Sequence, residues 1–256
     1  GALDVAKVSS RPARKSGEPF QGVTGSYSLM MATHETNILA AWHGEVLPKK
    51  TRDRLVYLAG EEWLRDSGWY LAGGTAMALQ AGHRRSVDLD FFSTEKTFDE
   101  NEIVERFPPE VWTTDSIEPR TVYGTLSGAK VSFIAYPFFV PQKPFHQIGS
   151  VAMLDIDDIS VMKIIAISQR GRKRDFIDLY WYVRHHAPLI EVARKLKTQY
   201  PSVAHDYHHI LKSLTFFEDA ENDPPSRLVE DVQWATVKKF FQQETAKVVK
   251  ELLELV

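Results

Sequence analysis

Two carboxylates one strand-step apart, a double glycine ahead of a helix, and a lysine set among apolar residues are the groups of this 256-residue chain whose spacing suits chemistry. They begin in the stretch from Tyr70 to Ser93, YLAGGTAMALQAGHRRSVDLDFFS. The apolar run Trp69 to Ala72 meets Gly73 and Gly74, which reads as a strand ending in a tight turn. Thr75 then stands as a polar cap before Ala76, Met77, Ala78, Leu79 and Gln80, all good helix formers. Backbone N–H groups exposed where a glycine turn enters a helix suit a phosphate.

Further on, Val87-Asp88-Leu89-Asp90-Phe91-Phe92 alternates apolar and acidic residues. A strand period of two puts Asp88 and Asp90 on one face. Two such carboxylates repel unless a cation sits between them, and oxygen ligands of this kind suit Mg²⁺, which binds one or two carboxylates together with phosphates and water. A phosphate cradle and a metal site in one unit fit nucleotidyl transfer. Taken singly, each part has a plainer reading, since an Asp-x-Asp on an amphipathic strand is commonly a solvated face and a Gly-Gly a simple turn. The joint pattern, in this order and spacing, favours the catalytic reading.

The pattern GGT, an apolar helix, then HRRSVDLDFF resembles the first motif of the minimal DNA-polymerase-beta-like nucleotidyltransferases, and within them the AbiEii/AbiGii toxin family of bacterial toxin–antitoxin and phage-defence systems. The family's Arg-x-Ser-x-Asp-x-Asp is matched by Arg84, Ser86, Asp88 and Asp90. Its later motif, Lys-x-x-Ala, a basic turn and Asp-x-x-Asp-Leu, is matched by Lys163, Ala166, Arg170, Asp175, Asp178 and Leu179. The resemblance implies an α/β fold, with a small mixed β-sheet, flanking helices and a mostly helical C-terminal half. It implies an enzyme that moves a nucleoside monophosphate from an NTP to an acceptor hydroxyl with Mg²⁺ or Mn²⁺. The acceptor would be RNA, a tRNA end being the expected case, and a cognate antitoxin the expected protein partner. In that scheme Gly73, Gly74 and Thr75 cradle the triphosphate, Asp88 and Asp90 hold the metal, and Arg84, Ser86 and Lys163 neutralise phosphate. Asp90 or Asp175 takes the proton, and Asp178 either supports the residues that touch the nucleotide or is structural, the latter being preferred. The superfamily's third acid has no counterpart, because Ser132 stands where it is expected. Two alternatives stay open: transfer to a small hydroxylated molecule such as an aminoglycoside, or a non-catalytic nucleotide-binding module, whose support is Ser132.

The whole chain bounds these readings. Its apolar and charged fractions, 43% and 25%, are those of a globular protein, and a net charge of −3 gives no global nucleic-acid signature. Without cysteine it has neither disulfides nor thiolate metal sites. No apolar run is long enough to span a membrane and no secretory signal opens the chain, so a cytoplasmic protein is expected.

The positioning elements follow from pattern. Residues 1–30 read as a flexible arm, with Met31 an alternative start and with Arg11, Arg14 and Lys15 the cations that a polyanion would meet. Residues 31–150 are the expected core domain and 151–256 a helical region completing the cleft. A helix is expected over Leu47 to Ser67, with Gly68 as its C′ glycine. A short helix over Asp99 to Arg106 and a hairpin of Thr121 to Leu126 with Lys130 to Tyr136 come next. Helices are then expected over Asp155 to Gln169, from the basic run Arg170 to Arg174 to His185, over Ile190 to Tyr200, Val203 to Ala220 and Leu228 to Leu255. Lys163, at the edge of a buried stripe, must snorkel or find an anion. His205, His208 and His209 have helical metal-ligand spacing but no accompanying glutamate, so zinc is not expected there.

Overall fold

The computed structural model describes residues 38–202, 207–224, 227–229 and 232–253. The expected N-terminal arm, with Arg11, Arg14 and Lys15, and His205 lie outside the described residues.

After a 3₁₀ turn at Gly44–Val46, helix α1 (Lys49–Ala59) leads through a second turn, Glu62–Leu64, to strand β1 (Tyr70–Ala72). Helix α2 (Gly73–Ala81) follows without a linker, then β2 (Leu89–Ser93) and α3 (Glu100–Glu105). Next come β3 (Trp112–Glu118), β4 (Thr121–Leu126), β5 (Ala129–Ala135), β6 (His146–Ile148) and β7 (Val151–Met153). From there the described chain is helical: α4 (Ile156–Arg170), α5 (Lys173–His185), α6 (Leu189–Gln199), α7 (Tyr207–Ser213), α8 (Glu218–Glu221) and α9 (Trp234–Leu253).

The strands form one seven-stranded sheet in the order β3-β4-β5-β2-β1-β7-β6. It is mixed: β2 runs parallel to β5 and β1 to β7, while the other neighbours are antiparallel. The expected α/β architecture, a mixed sheet with a helical C-terminal half, is what the chain adopts. Alternation decides what each face carries. Phe91, Val122 and Phe133 are fully buried and point to an aromatic layer, in which Phe91 and Phe133 stack at 5.1 Å and Trp69 meets Phe133 edge-on. Each such ring contributes about 1.5–3 kcal/mol by leaving water. Asp90, Ser132 and Tyr123 take the opposite face, which is the wall of a cleft. Helix α4 packs against α2, α5, α6 and α7, so α4 and α5 close that cleft from above.

Several local expectations change. The helix expected over Leu47 to Ser67 ends at Ala59, where Gly60 caps it, and Trp63 reaches the aromatic layer from the following 3₁₀ turn. Gly68 is therefore no helix cap; its φ of +83° serves the bend that enters β1. The helix expected over Val203 to Ala220 is interrupted between Ser213 and Glu218, where Ser213 and Thr215 hydroxyls donate back to Ile210 and Lys212 carbonyls. Strands β3, β6 and β7 had no expectation: β3 is an exposed, polar edge strand, and the other two are three residues long. The hairpin and helices α3 and α4 fall where the sequence puts them, and the structure shows Asp99 and Asp155 as the capping side chains.

Candidate active site

The cleft, of about 460 Å³, is lined by the Gly73–Thr75 bend, Arg84, Ser86, Asp88 and Asp90, by Ser132 and Tyr123 on the sheet, and by Lys163, Arg170 and Arg174 on the helices. Strand β1 delivers the chain to Gly73, whose φ of +68° is reached freely by glycine and only with strain by other residues. A methyl group at Gly73 would stand 3.5 Å from Asp90 Oδ2, so bend and carboxylate are immediate neighbours. No side chain caps α2. Its first N–H groups lack intrahelical acceptors and lie at the cleft wall, where an anion would meet them.

Thr75 does not act as that cap. It is buried inside the helix, and its hydroxyl donates to the Asp88 carbonyl while accepting from Ser86 Oγ at 2.8 Å. One hydroxyl thereby ties the glycine helix to the segment that carries the carboxylates. Asp88 itself precedes β2, which begins at Leu89, and its side chain is 30% exposed; Arg174 Nη1 lies 3.7 Å from Asp88 Oδ2. Asp90 is on the strand and pairs in register with Ser132, whose Oγ donates to Asp90 Oδ1 at 2.7 Å. Burial pushes the Asp90 carboxyl up, the Ser132 hydrogen bond opposes this, and the Asp88 charge adds to the rise. Two carboxylates in one cleft, one resisting ionisation beside the other, form a donor set that fits a hard divalent cation completed by phosphate and water. Among the described residues no group of three or more His, Cys, Asp or Glu is arranged to hold a metal, in keeping with serine at position 132.

Behind the cleft lies a buried ion-pair network. Lys163 does not snorkel: it is 3% exposed, and its ammonium stands 2.7 Å from Asp175 and 2.6 Å from Asp178. Asp178 accepts from Arg84 Nε at 2.5 Å and Nη2 at 2.8 Å, and from His83 Nε2 at 2.7 Å. Arg84 Nη1 donates to the Arg85 carbonyl, so the guanidinium at the glycine bend is held on three sides. Asp175 also accepts from Arg170 Nε at 2.9 Å. Burial alone would raise both carboxyls; the charges of Arg84 and Lys163 hold Asp178 well below the ordinary range, and those of Lys163 and Arg170 hold Asp175 below it. Burial lowers His83, and its Nδ1 has no hydrogen-bond partner.

Of the residues singled out in the sequence, Gly73, Gly74, Thr75, Arg84, Ser86, Asp88, Asp90 and Lys163 all line the cleft. Asp175 does not; wholly buried, it holds Lys163 and Arg170. His208 and His209 are exposed and form no metal cluster among the described residues. Sequence reasoning missed Tyr123 and Asp115, which sit in segments with no chemical spacing of their own, and assigned no role to His83 although it opens the HRRSVDLDFF motif. Arg174 belongs to the basic cluster Arg172 to Arg174, which reads as a solvated turn by itself and, by the family resemblance, as a holder of triphosphate or an RNA backbone; the structure places it at the cleft. A second, smaller hollow adjoins the cleft at Asp88 and Arg174 and carries the exposed Arg85 and Arg172, the latter pairing with Asp223 at 2.7 Å.

An acid pair at the start of a strand against an uncapped glycine helix, with lysine and arginines lining the same cleft, is the arrangement of a nucleotidyltransferase. The profile described as nucleotidyl transferase AbiEii toxin, type IV TA system, matches residues 63–111 and 129–254. An uncharacterized protein of Aquifex aeolicus (strain VF5) is 37% identical over 195 residues, covering 73% of this chain and 88% of its own. The chain belongs to the AbiEii nucleotidyltransferase toxin family. Among solved structures, JHP933 from Helicobacter pylori has 18% identity and a TM-score of 0.48 over 82% of this chain and 97% of its own. MenT4, a nucleotidyltransferase toxin from Mycobacterium tuberculosis H37Rv, has 13% identity and a TM-score of 0.47 over 89% and 90%.

Proposed function

We propose that this nucleotidyltransferase uses Mg²⁺, or Mn²⁺ in its place, to move a nucleoside monophosphate from an NTP to a hydroxyl of RNA, with a tRNA end the expected acceptor. We further read it as the toxin of a cytoplasmic pair whose antitoxin restrains it. The observation that carries the reading is the convergence of Asp88 and Asp90 on the Gly73–Gly74 bend in one cleft with Lys163, Arg170 and Arg174. No helix of the described residues is long and apolar enough to cross a membrane.

In this scheme the amides of Gly73, Gly74 and Thr75 and the Arg174 guanidinium bind the triphosphate. Asp88 and Asp90 would hold the divalent ion, which supplies charge compensation for the transferring phosphoryl group. The acceptor oxygen forms a bond to the α-phosphorus, the bond to pyrophosphate breaks, and the hydroxyl proton passes to Asp90 or to water beside it. Asp175 and Asp178 are assigned a positioning role, keeping Lys163, Arg170 and Arg84 charged and fixed at the cleft wall. Support for RNA comes from Arg85, Arg172 and Arg174 at the cleft rim, cations suited to a phosphate backbone on an otherwise slightly acidic protein.

The test is incubation with each α-labelled NTP, Mg²⁺ and total RNA, for wild type, Asp88→Ala and Asp90→Ala. Either substitution is expected to lower labelling and pyrophosphate release by about 10²–10³-fold or more, with the unfolding midpoint retained. Full activity in either variant would overturn the reading.

A further inference from the structure

The sheet register draws a line across the cleft floor. Ala72 pairs with Asp90, Asp90 with Ser132, Ser132 with Tyr123, and Tyr123 with Ser116. Directly paired residues send their side chains to the same face, so Asp90, Ser132 and Tyr123 stand in a row. Two strand spacings separate Asp90 from Tyr123, about 10 Å. That is close to the reach of one nucleoside from ribose hydroxyl to base.

The far end of this row has the composition of a ring-binding subsite. Tyr123 is 40% exposed and meets no other ring among the described residues. The core does not need it, since Val122 and Phe133 fill the opposite face of the sheet. The register of β3 shifts between Thr114 and Ser116, which leaves Asp115 at a bulge. Bulges re-aim side chains, and the Asp115 carboxylate lines the cleft, where Oδ2 accepts from Thr125 Oγ1 at 3.1 Å. Its other oxygen has no hydrogen bond or ion pair among the described residues. Lys130, exposed, pairs with Thr125 in the next strand and lines the same end.

We propose that this end is a shelf for the terminal base of the acceptor strand: the base stacks on Tyr123, its exocyclic amine donates to Asp115, and the adjoining phosphate meets Lys130. The proposal rests on the RNA-transfer reading above and names the part of the acceptor that is read. Direction follows from the chemistry. The cradle suited to the triphosphate, the α2 amides, lies on the β1 side of Asp90, because Gly73 directly follows Ala72, the register partner of Asp90. In-line displacement requires the attacking oxygen opposite the leaving pyrophosphate, hence from the β5–β4 side. A carboxylate oxygen accepts hydrogen bonds, so Asp115 favours adenine, cytosine or guanine, each of which offers an exocyclic amine, over uracil, whose one donor on the base, N3–H, lies in the ring between two carbonyls.

The experiment uses the full chain, Mg²⁺, each of the four α-labelled NTPs, and fluorescein-labelled single-stranded RNAs identical except for a terminal A, C, G or U. Transfer kinetics and equilibrium binding by anisotropy are measured on the same oligonucleotides. Tyr123→Ala is expected to raise the KM and the Kd for RNA by roughly 5- to 150-fold, the range set by loss of one stacked base, with the KM for NTP unchanged. Tyr123→Phe should keep wild-type values, and Asp115→Asn should remove the disadvantage of the U-terminated RNA. An unchanged RNA KM in Tyr123→Ala, or a rise in the NTP KM instead, overturns the shelf while the transfer reading stands. Wild type that binds RNA through Tyr123 but labels none overturns the transfer reading alone. Wild type that neither binds nor labels RNA overturns both.

Discussion

Asp178→Asn is the sharpest probe of how the site is held. Asp178 is fully buried, and its two oxygens serve Arg84, Lys163 and His83 at 2.5–2.8 Å. The amide keeps the shape but removes the charge and turns an N–H₂ toward groups that are themselves donors. Arg84 and Lys163, 5% and 3% exposed, would then share one remaining buried carboxylate, Asp175, which contacts Lys163 directly. Taking one partner from a buried pair costs about 3–5 kcal/mol. That is a large part of the roughly 5–15 kcal/mol that holds a domain folded. In a chain of this size each kcal/mol moves Tm by about 2–4 °C, so a fall of roughly 6–20 °C is expected. Urea unfolding followed by circular dichroism should show a lower midpoint with an unchanged slope. Arg84→Met in the Asp178→Asn background should recover part of the loss, because the stranded guanidinium is gone. Asp178→Asn within about 0.5 kcal/mol of wild type, or a double variant equal to the sum of its singles, would refute the reasoning.

Other outcomes follow from the same geometry. Gly74→Ala drives a methyl group into Arg84 Nη2 and must shift the guanidinium off Asp178, so a loss of about 1–3 kcal/mol with reduced nucleotidyl transfer is expected; thermal melts and the labelled-NTP assay check both. Stability should fall with pH in two stages, because His83, Asp175 and Asp178 all have folded pKa values below their unfolded ones. As pH drops below about 6.5 the unfolded state takes up the His83 proton first, and below about 4 it does so at the two aspartates, each step favouring unfolding. Asp90, raised by burial, works in the opposite direction. Urea midpoints at pH 7.5, 5.5 and 4 check the sign: a midpoint that rises steadily on acidification contradicts the network.

Much of the site was legible because its parts are local. Strand, glycine bend, helix and acidic strand occupy Tyr70 to Ser93, and the order of residue types there carries the chemistry without reference to distant chain. What was not legible depends on contacts between segments far apart in sequence. The period of α4 puts Lys163 beside a buried stripe but does not tell which anion it meets; packing of α4 on α5 supplies Asp175 and Asp178. Thr75 reads as a cap by position, yet burial turns its hydroxyl to the Asp88 carbonyl thirteen residues on.

The sequence by itself determined the acid pair, the glycine bend and the helices of the second half, since each follows from short-range periodicity and turn chemistry, and the class of fold came with the family resemblance of those motifs. Tertiary structure alone decided that Asp175 lies behind the cleft rather than in it and that His83 joins Arg84 on one carboxylate. It also decided that Tyr123 stands in a row with Asp90 and that Asp115 is turned to the same cleft, because strand register and the bulge in β3 are properties of paired strands, which no single stretch of chain encodes.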